Sequence, residues 1–175
     1  MSFKITVEDL RARNACIHGI RVFVAAYPNG IEAPEWTLEL QLEVLRNPEF
    51  AQYLGWARRE GLISLLPMPG VNLAKAYLAG AALYGADLTG ANLRWANLRL
   101  ANLSRAKLFG ANLRLADLAG ANFSKANLAG ANLAGAKLFG ANLRLANFSG
   151  ANLAGANFSK ANLSRASLAG ANFSG

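Results

Sequence analysis

Ala-Asn-Leu-Ala-Gly-Ala-Lys-Leu-Phe-Gly-Ala-Asn-Leu-Arg-Leu, residues 131–145, is one five-residue word written three times, and the same word runs unbroken from Val71 to Gly175, 21 times in all. Leu or Phe occupies residue 73 and every fifth position through Phe173, and the residue two before each of these centres is Ala except at Val71. A helix repeats its side-chain direction about every 3.6 residues and a flat strand every 2.0, so a strict period of five suits neither. A fixed short period instead means stacked units, each too small to bury its own apolar side and stable only through its neighbours.

Working outward, composition divides the chain. Residues 1–70 hold all five Pro, the one Cys, the one His and two of the three Trp, while residues 71–175 are built almost wholly from Ala, Asn, Leu, Gly, Ser, Phe, Arg and Lys. Charge divides the same way. Lys and Arg stand against Asp and Glu as 7 to 8 before residue 71 and as 11 to 2 after it, so the formal net charge of +8 belongs to the repeat. Arg, Lys or Asn interrupts every long apolar stretch, and nothing approaches the roughly 18 apolar residues of a membrane span. The segment Met1–Asp9 lacks the apolar run of a secretion signal. One cysteine allows no internal disulfide, and a reduced, cytoplasmic setting is the expectation.

The word Ala-Asn-Leu-x-Gly, continuous over 105 of 175 residues, resembles the pentapeptide-repeat family. That resemblance implies an all-β solenoid: a right-handed quadrilateral β-helix in which four words make a 20-residue coil. The central Leu or Phe and the Ala two before it then point inward, and the other three positions face solvent. The residues agree with this reading. Ala suits a narrow interior, Leu and Phe fill the axis at close-packed density, and Gly at the fifth position suits a corner with unusual dihedrals. Coils about 4.8 Å apart turn the repeat into about five coils, a rod of roughly 25 Å. The phrase Ala-Lys-Leu-Phe-Gly-Ala-Asn-Leu-Arg-Leu-Ala occurs at 106–116 and again at 136–146. Thirty residues are one and a half coils, which puts the two copies on opposite faces.

A spacing of 20 also shows which outward side chains stack. Arg105, Lys125 and Arg165 share one column, and Arg144 stands one residue before Leu145, which interrupts it. Four cations in a row repel one another, and an anionic partner relieves that cost; splaying into water for solubility is the competing reading. Trp95 and Leu115 stack in a second column with Leu100 round the corner, an apolar docking patch for either the N-terminal segment or an external partner.

Family resemblance also implies a sharper function, since some pentapeptide-repeat proteins bind DNA gyrase as acidic mimics of duplex DNA. Here the position before the centre is Asn in 14 of 21 words and Asp only at Asp87 and Asp117, while Lys107 and Lys137 put positive charge there. That pattern opposes mimicry. Direct binding of nucleic acid has the right sign of charge, although the expected exposed aromatics are few: Trp95, Phe109 and Phe139.

Residues 1–66 read as a small, mainly helical domain with residues 62–70 as its linker to the solenoid at 71–175. Phe3–Val7 alternates as a short strand; helices are expected over Leu10–Tyr27, from Trp36 to Leu45 with some strand character, and from Pro48 to Gly61, capped by Asn47. Cys16 and His18 do not share a helix face, and neither has the further partners that a metal site or Cys-His catalysis needs. No catalytic constellation or phosphate loop appears, and no cofactor is expected. The sequence therefore predicts a non-enzymatic binding or scaffold protein, bacterial or phage, with a protein partner. A gyrase-interacting protein and a basic nucleic-acid-binding or phage structural protein are the alternatives, and Phe173 in the final word suggests a tail-to-tail homodimer.

Overall fold

The computed structural model describes residues 67–174 together with two short strands, β1 (Phe3–Ile5) and β2 (Ile31–Ala33), which pair antiparallel with Phe3 opposite Ala33 and Ile5 opposite Ile31. β1 falls within the predicted Phe3–Val7 strand. The three predicted helices, Cys16 and His18 lie outside the described residues.

From residue 71 the chain winds as a four-sided solenoid. Seventeen parallel bridges, from Asn72↔Asn92 to Asn152↔Asn172, each join residues 20 apart. The hydrogen-bond pattern of one word explains the period. The Leu73 N–H donates to the Asn92 carbonyl at 2.8 Å, the Lys75 N–H to the Arg94 carbonyl at 2.8 Å, and the Asn92 N–H to the Val71 carbonyl at 2.8 Å. Within the coil, the Ala76 N–H donates back to the Leu73 carbonyl at 3.1 Å and closes a tight turn. Four of the five amides in a word thus find backbone partners, and only the residue after the centre is left over.

Asparagine takes that fifth amide. In every described word with Asn or Asp before the centre, its side-chain oxygen accepts the N–H two residues on, from Asn72 with Ala74 at 3.2 Å to Asn172 with Ser174 at 2.9 Å. Asp87 and Asp117 make the same bond, to Thr89 and Ala119. The preference for Asn is therefore structural: a short side chain that reaches its own backbone two residues on.

The turn forces its third residue into the left-handed region. All 20 positions from Lys75 to Gly170 at this place in the word have φ between +57° and +69°, Gly at 11 of them and another residue at nine. A positive φ at the third residue of a hydrogen-bonded turn is the signature that makes Gly the favoured corner residue.

Inside, every centre from Leu73 to Leu153 and every inner Ala from Ala81 to Ala151 is at most 2% exposed. Phe123 and Phe148 are accommodated because 25 residues place them on adjacent sides in successive coils. From Ala156 onward the inner residues are only partly covered, and Phe173 is 51% exposed, its ring tilted against Phe158 at 6.2 Å between centroids.

The solenoid starts one word earlier than the sequence reading placed it. Met68, assigned above to the linker, is fully buried as a centre, Gly70 holds the corner φ of +68°, and their amides donate to Asp87 and Thr89 of the first coil at 2.7 Å. Pro69 sits where the word leaves its amide without a backbone partner, so proline costs nothing there, and its fixed φ suits the second residue of the turn. The two prolines that looked like linker punctuation are compatible with a coil.

A candidate binding surface on the basic side of the solenoid

The four corners of successive coils stack into four columns. Lys75, Trp95 and Leu115, followed by Gly135 and Gly155, make the first; Leu100 and Lys160 stand out from glycines in the second; Arg105, Lys125, Leu145 and Arg165 follow Gly85 in the third; the fourth is glycine throughout. Arg105, Lys125 and Arg165 are exposed and share the third column, with Arg144 exposed at the adjoining position. Beside Arg144, Leu145 is half-buried.

Non-glycine residues at these corners are a conformational expense. A left-handed L-residue costs about 1–2 kcal/mol, and nine are present although the fourth column shows that glycine satisfies the same geometry. Five of the nine are Lys or Arg; the others are Trp95, Leu100, Leu115 and Leu145.

Large apolar groups are exposed in the same region. Trp95 is 54% and Leu100 72% exposed, whereas Leu115 is half-buried. Leu100 lies down over Gly120, where an added Cβ would stand 2.7 Å from its Cδ2, and Leu115 lies over Gly135 in the same way. Each leucine thus rests on the glycine of the next coil, and the apolar patch has a floor without Cβ atoms. Beside Trp95, Nε of Arg94 is buried and is the one such side-chain nitrogen among the described residues without a partner.

Charge is segregated around the prism. Taking the residue before each corner with its column, nine of the eleven repeat cations lie at the first three corners and Lys137 on the face between the first two, while the eleventh, Lys107, is held 3.6 Å from Asp87 on another face. The other carboxylate, Asp117, pairs with Arg99 at 3.4 Å. Both pairs are exposed and contribute little to stability. Hydrogen bonds from Thr89, with Lys107 adding to them, hold the Asp87 carboxyl below its ordinary value.

Two exposed rings were not picked out by the sequence reading. Tyr77 stands in an Asn slot and is 47% exposed, and Tyr84 carries the Arg105 guanidinium 5.9 Å from its centroid. Phe109 and Phe139 are exposed as expected, with Lys160 Nζ 5.2 Å from the Phe139 centroid. The signal for Tyr77 was its departure from the word: an aromatic where Asn would hold the backbone.

A family model for pentapeptide repeats matches residues 70–105, 106–144 and 146–175 in eight copies. The chain belongs to the pentapeptide-repeat family. Pentapeptide-repeat proteins fold as right-handed quadrilateral β-helices and are generally non-enzymatic structural or binding proteins. Among solved structures, the pentapeptide-repeat protein Rfr23 from the cyanobacterium Cyanothece 51142 is 35% identical with a TM-score of 0.50, the match covering 61% of this chain and 83% of that one. The pentapeptide-repeat protein alr5209 from Nostoc PCC 7120 is 31% identical with a TM-score of 0.51, covering 62% of this chain and 98% of its own. The plasmid-mediated fluoroquinolone resistance protein QnrB1 matches at 19% identity and a TM-score of 0.24, over 58% of this chain and 68% of that one, a likeness that transfers no function. No curated protein matches the chain.

Among the described residues no group of three His, Cys, Asp or Glu is placed to hold a metal, and no helix is long and apolar enough to cross a membrane.

Proposed function

We propose that this pentapeptide-repeat protein is a non-catalytic binding or scaffold protein whose basic solenoid, together with its N-terminal domain, engages an acidic or protein partner. The observation that carries the reading is the segregation of ten of eleven repeat cations onto three corners and one face. Cations kept for solubility are interspersed around a surface; here the fourth corner carries none. The stacked Arg105, Lys125, Arg144 and Arg165 supply the anion-binding column, and Trp95, Leu100 and Leu115 the apolar docking patch.

Titration calorimetry with an oligoglutamate peptide tests it. Binding should weaken steeply with salt and fall at least tenfold in a variant with Arg105, Lys125, Arg144 and Arg165 all changed to Glu; unchanged affinity in that variant refutes the assignment of the column. The gyrase alternative requires altered supercoiling by the purified chain, and the charge segregation favours it least, because a duplex mimic must be acidic. For the 175-residue chain we further propose contact between two copies through Phe173. Phe173→Asp should then abolish concentration-dependent light scattering, and an unchanged profile rejects that contact.

A further inference from the structure

We infer that the face between the first and second corner columns binds a single strand of nucleic acid. It rests on the acidic-partner reading above but sets the strand on the face beside the first two corners and not on the Arg105 column. Tyr77, in the middle of this face, bridges to Asn97, two residues along the coil from Trp95, so the two rings are diagonal neighbours; Phe139 stands on the same face's second corner two coils further on. All three rings are about half exposed, from 45% to 54%.

Cations are interleaved with these rings. Lys75, Arg94 and Arg114 come from the first corner, Arg99 and Lys160 from the second, and Lys137 from the face itself. The single carboxylate here, Asp117, is already paired with Arg99. Lys160 Nζ lies over the Phe139 ring, 5.2 Å from its centroid, and sets a positive charge within reach of a phosphate at that ring. Rings that accept any base, set in a positive groove that follows the backbone, are how single strands are held without sequence preference.

The alternatives fit less well. An acidic peptide needs the cations but gives the three rings nothing flat to stack on. A duplex keeps its bases stacked on one another and meets Trp95 and Leu100 only with its backbone. Five coils at about 4.8 Å span about 19 Å, room for about five nucleotides at 3.4 Å each, within the range of single-strand sites.

Each ring has a replacement that the repeat itself supplies. Tyr77→Asn restores the usual word, Trp95→Gly places glycine at a corner, and Phe139→Ala puts a common residue after the centre. Loss of binding in these variants is therefore separable from loss of fold, which far-ultraviolet circular dichroism checks.

The experiment is fluorescence anisotropy of the full chain with labelled dT12 and U12, with a 12-base-pair duplex and oligoglutamate as competitors. With about four phosphates neutralised, affinity should fall about 50-fold between 50 and 200 mM salt. Each of Tyr77→Asn and Trp95→Gly should weaken binding about tenfold with no loss of melting temperature, while replacing Arg105, Lys125 and Arg165 with Gly should matter less than either. Duplex binding as tight as that of the single strand, or unchanged affinity in the Tyr77→Asn, Trp95→Gly double variant, overturns the inference. Oligoglutamate binding as tight as dT12 overturns it too but leaves the acidic-partner reading standing. No anion bound at low salt ends both.

Discussion

Replacing Lys125 by glycine should make this protein more stable, the reverse of the usual effect of glycine inside a repeating structure. Lys125 has φ of +61°, one of nine non-glycine corners in the left-handed region. Relief of that conformation is worth about 1–2 kcal/mol. Glycine gives back about 0.4–1 kcal/mol through the larger entropy of the unfolded chain, so the net gain is about 0.5–1 kcal/mol. Removing one member of the Arg105, Lys125, Arg165 stack relieves repulsion and acts in the same direction. For Arg105→Gly the gain is smaller, since the guanidinium 5.9 Å from the Tyr84 centroid is lost, worth about 0.5–1 kcal/mol at an exposed site.

Urea unfolding followed by circular dichroism reads the midpoint, and Lys125→Ala is the control. Alanine removes the same charge and side chain but keeps the strained φ, so its midpoint should stay near that of the parent while glycine moves it up. The reasoning fails if Lys125→Gly lowers the midpoint, or if alanine and glycine stabilise equally, because the effect would then be charge alone.

Three other outcomes follow from the same geometry. Leu113→Ala, at a fully buried centre in the middle coil, should cost about 2.7–5 kcal/mol through the cavity it leaves, measured as a drop in the urea midpoint. Asn112→Ala should cost about 0.5–1.5 kcal/mol by removing the acceptor of the Arg114 amide at 3.2 Å, whereas Asn112→Asp keeps that bond and should be nearly silent in the same assay. The Asp87 carboxyl is held low chiefly by Thr89, so its folded form binds a proton less readily than its unfolded form. Its stabilising effect is then present above the ordinary carboxylate value of about 3.9 and is lost as pH falls through the lower folded value; Asp87→Asn should flatten that acid limb of a stability-against-pH curve by lowering stability at neutral pH, with little change below the folded value.

Much of the fold was legible because one spacing sets it. Words of one form centred on residues 73, 93 and 113 imply like surroundings, and the register of 20, the buried Leu and Ala columns and the left-handed corners all follow from the word. What escaped were residues that meet the geometry without matching the letters. Met68 is a centre and Pro69 a turn residue, yet prolines on both sides of Met68 disguise the word. Tyr77 in an Asn slot joins Trp95 on one face only once the coil is closed. The role of Asn was hidden for another reason: a side chain bonded to its own backbone leaves the same sequence trace as one selected for the surface. Segregation of charge needed no new residue, only the register that sorts the eleven cations onto corners.

A coil of four words has one more property, which comes from the word being smaller than the coil. Every inner position accepts the next word's Leu and Ala as readily as its own, so removing five residues leaves the core as well packed as before while turning everything downstream by a quarter revolution. Deleting residues 116–120 would carry Lys125 from beneath Arg105 to beneath Leu100 and bring Gly130 under Arg105 in its place. The surface pattern can thus be dismantled, or rebuilt elsewhere, by an event that the interior scarcely registers. In this architecture length acts as an angular coordinate, and a gain or loss of one word re-aims a binding surface without redesigning it.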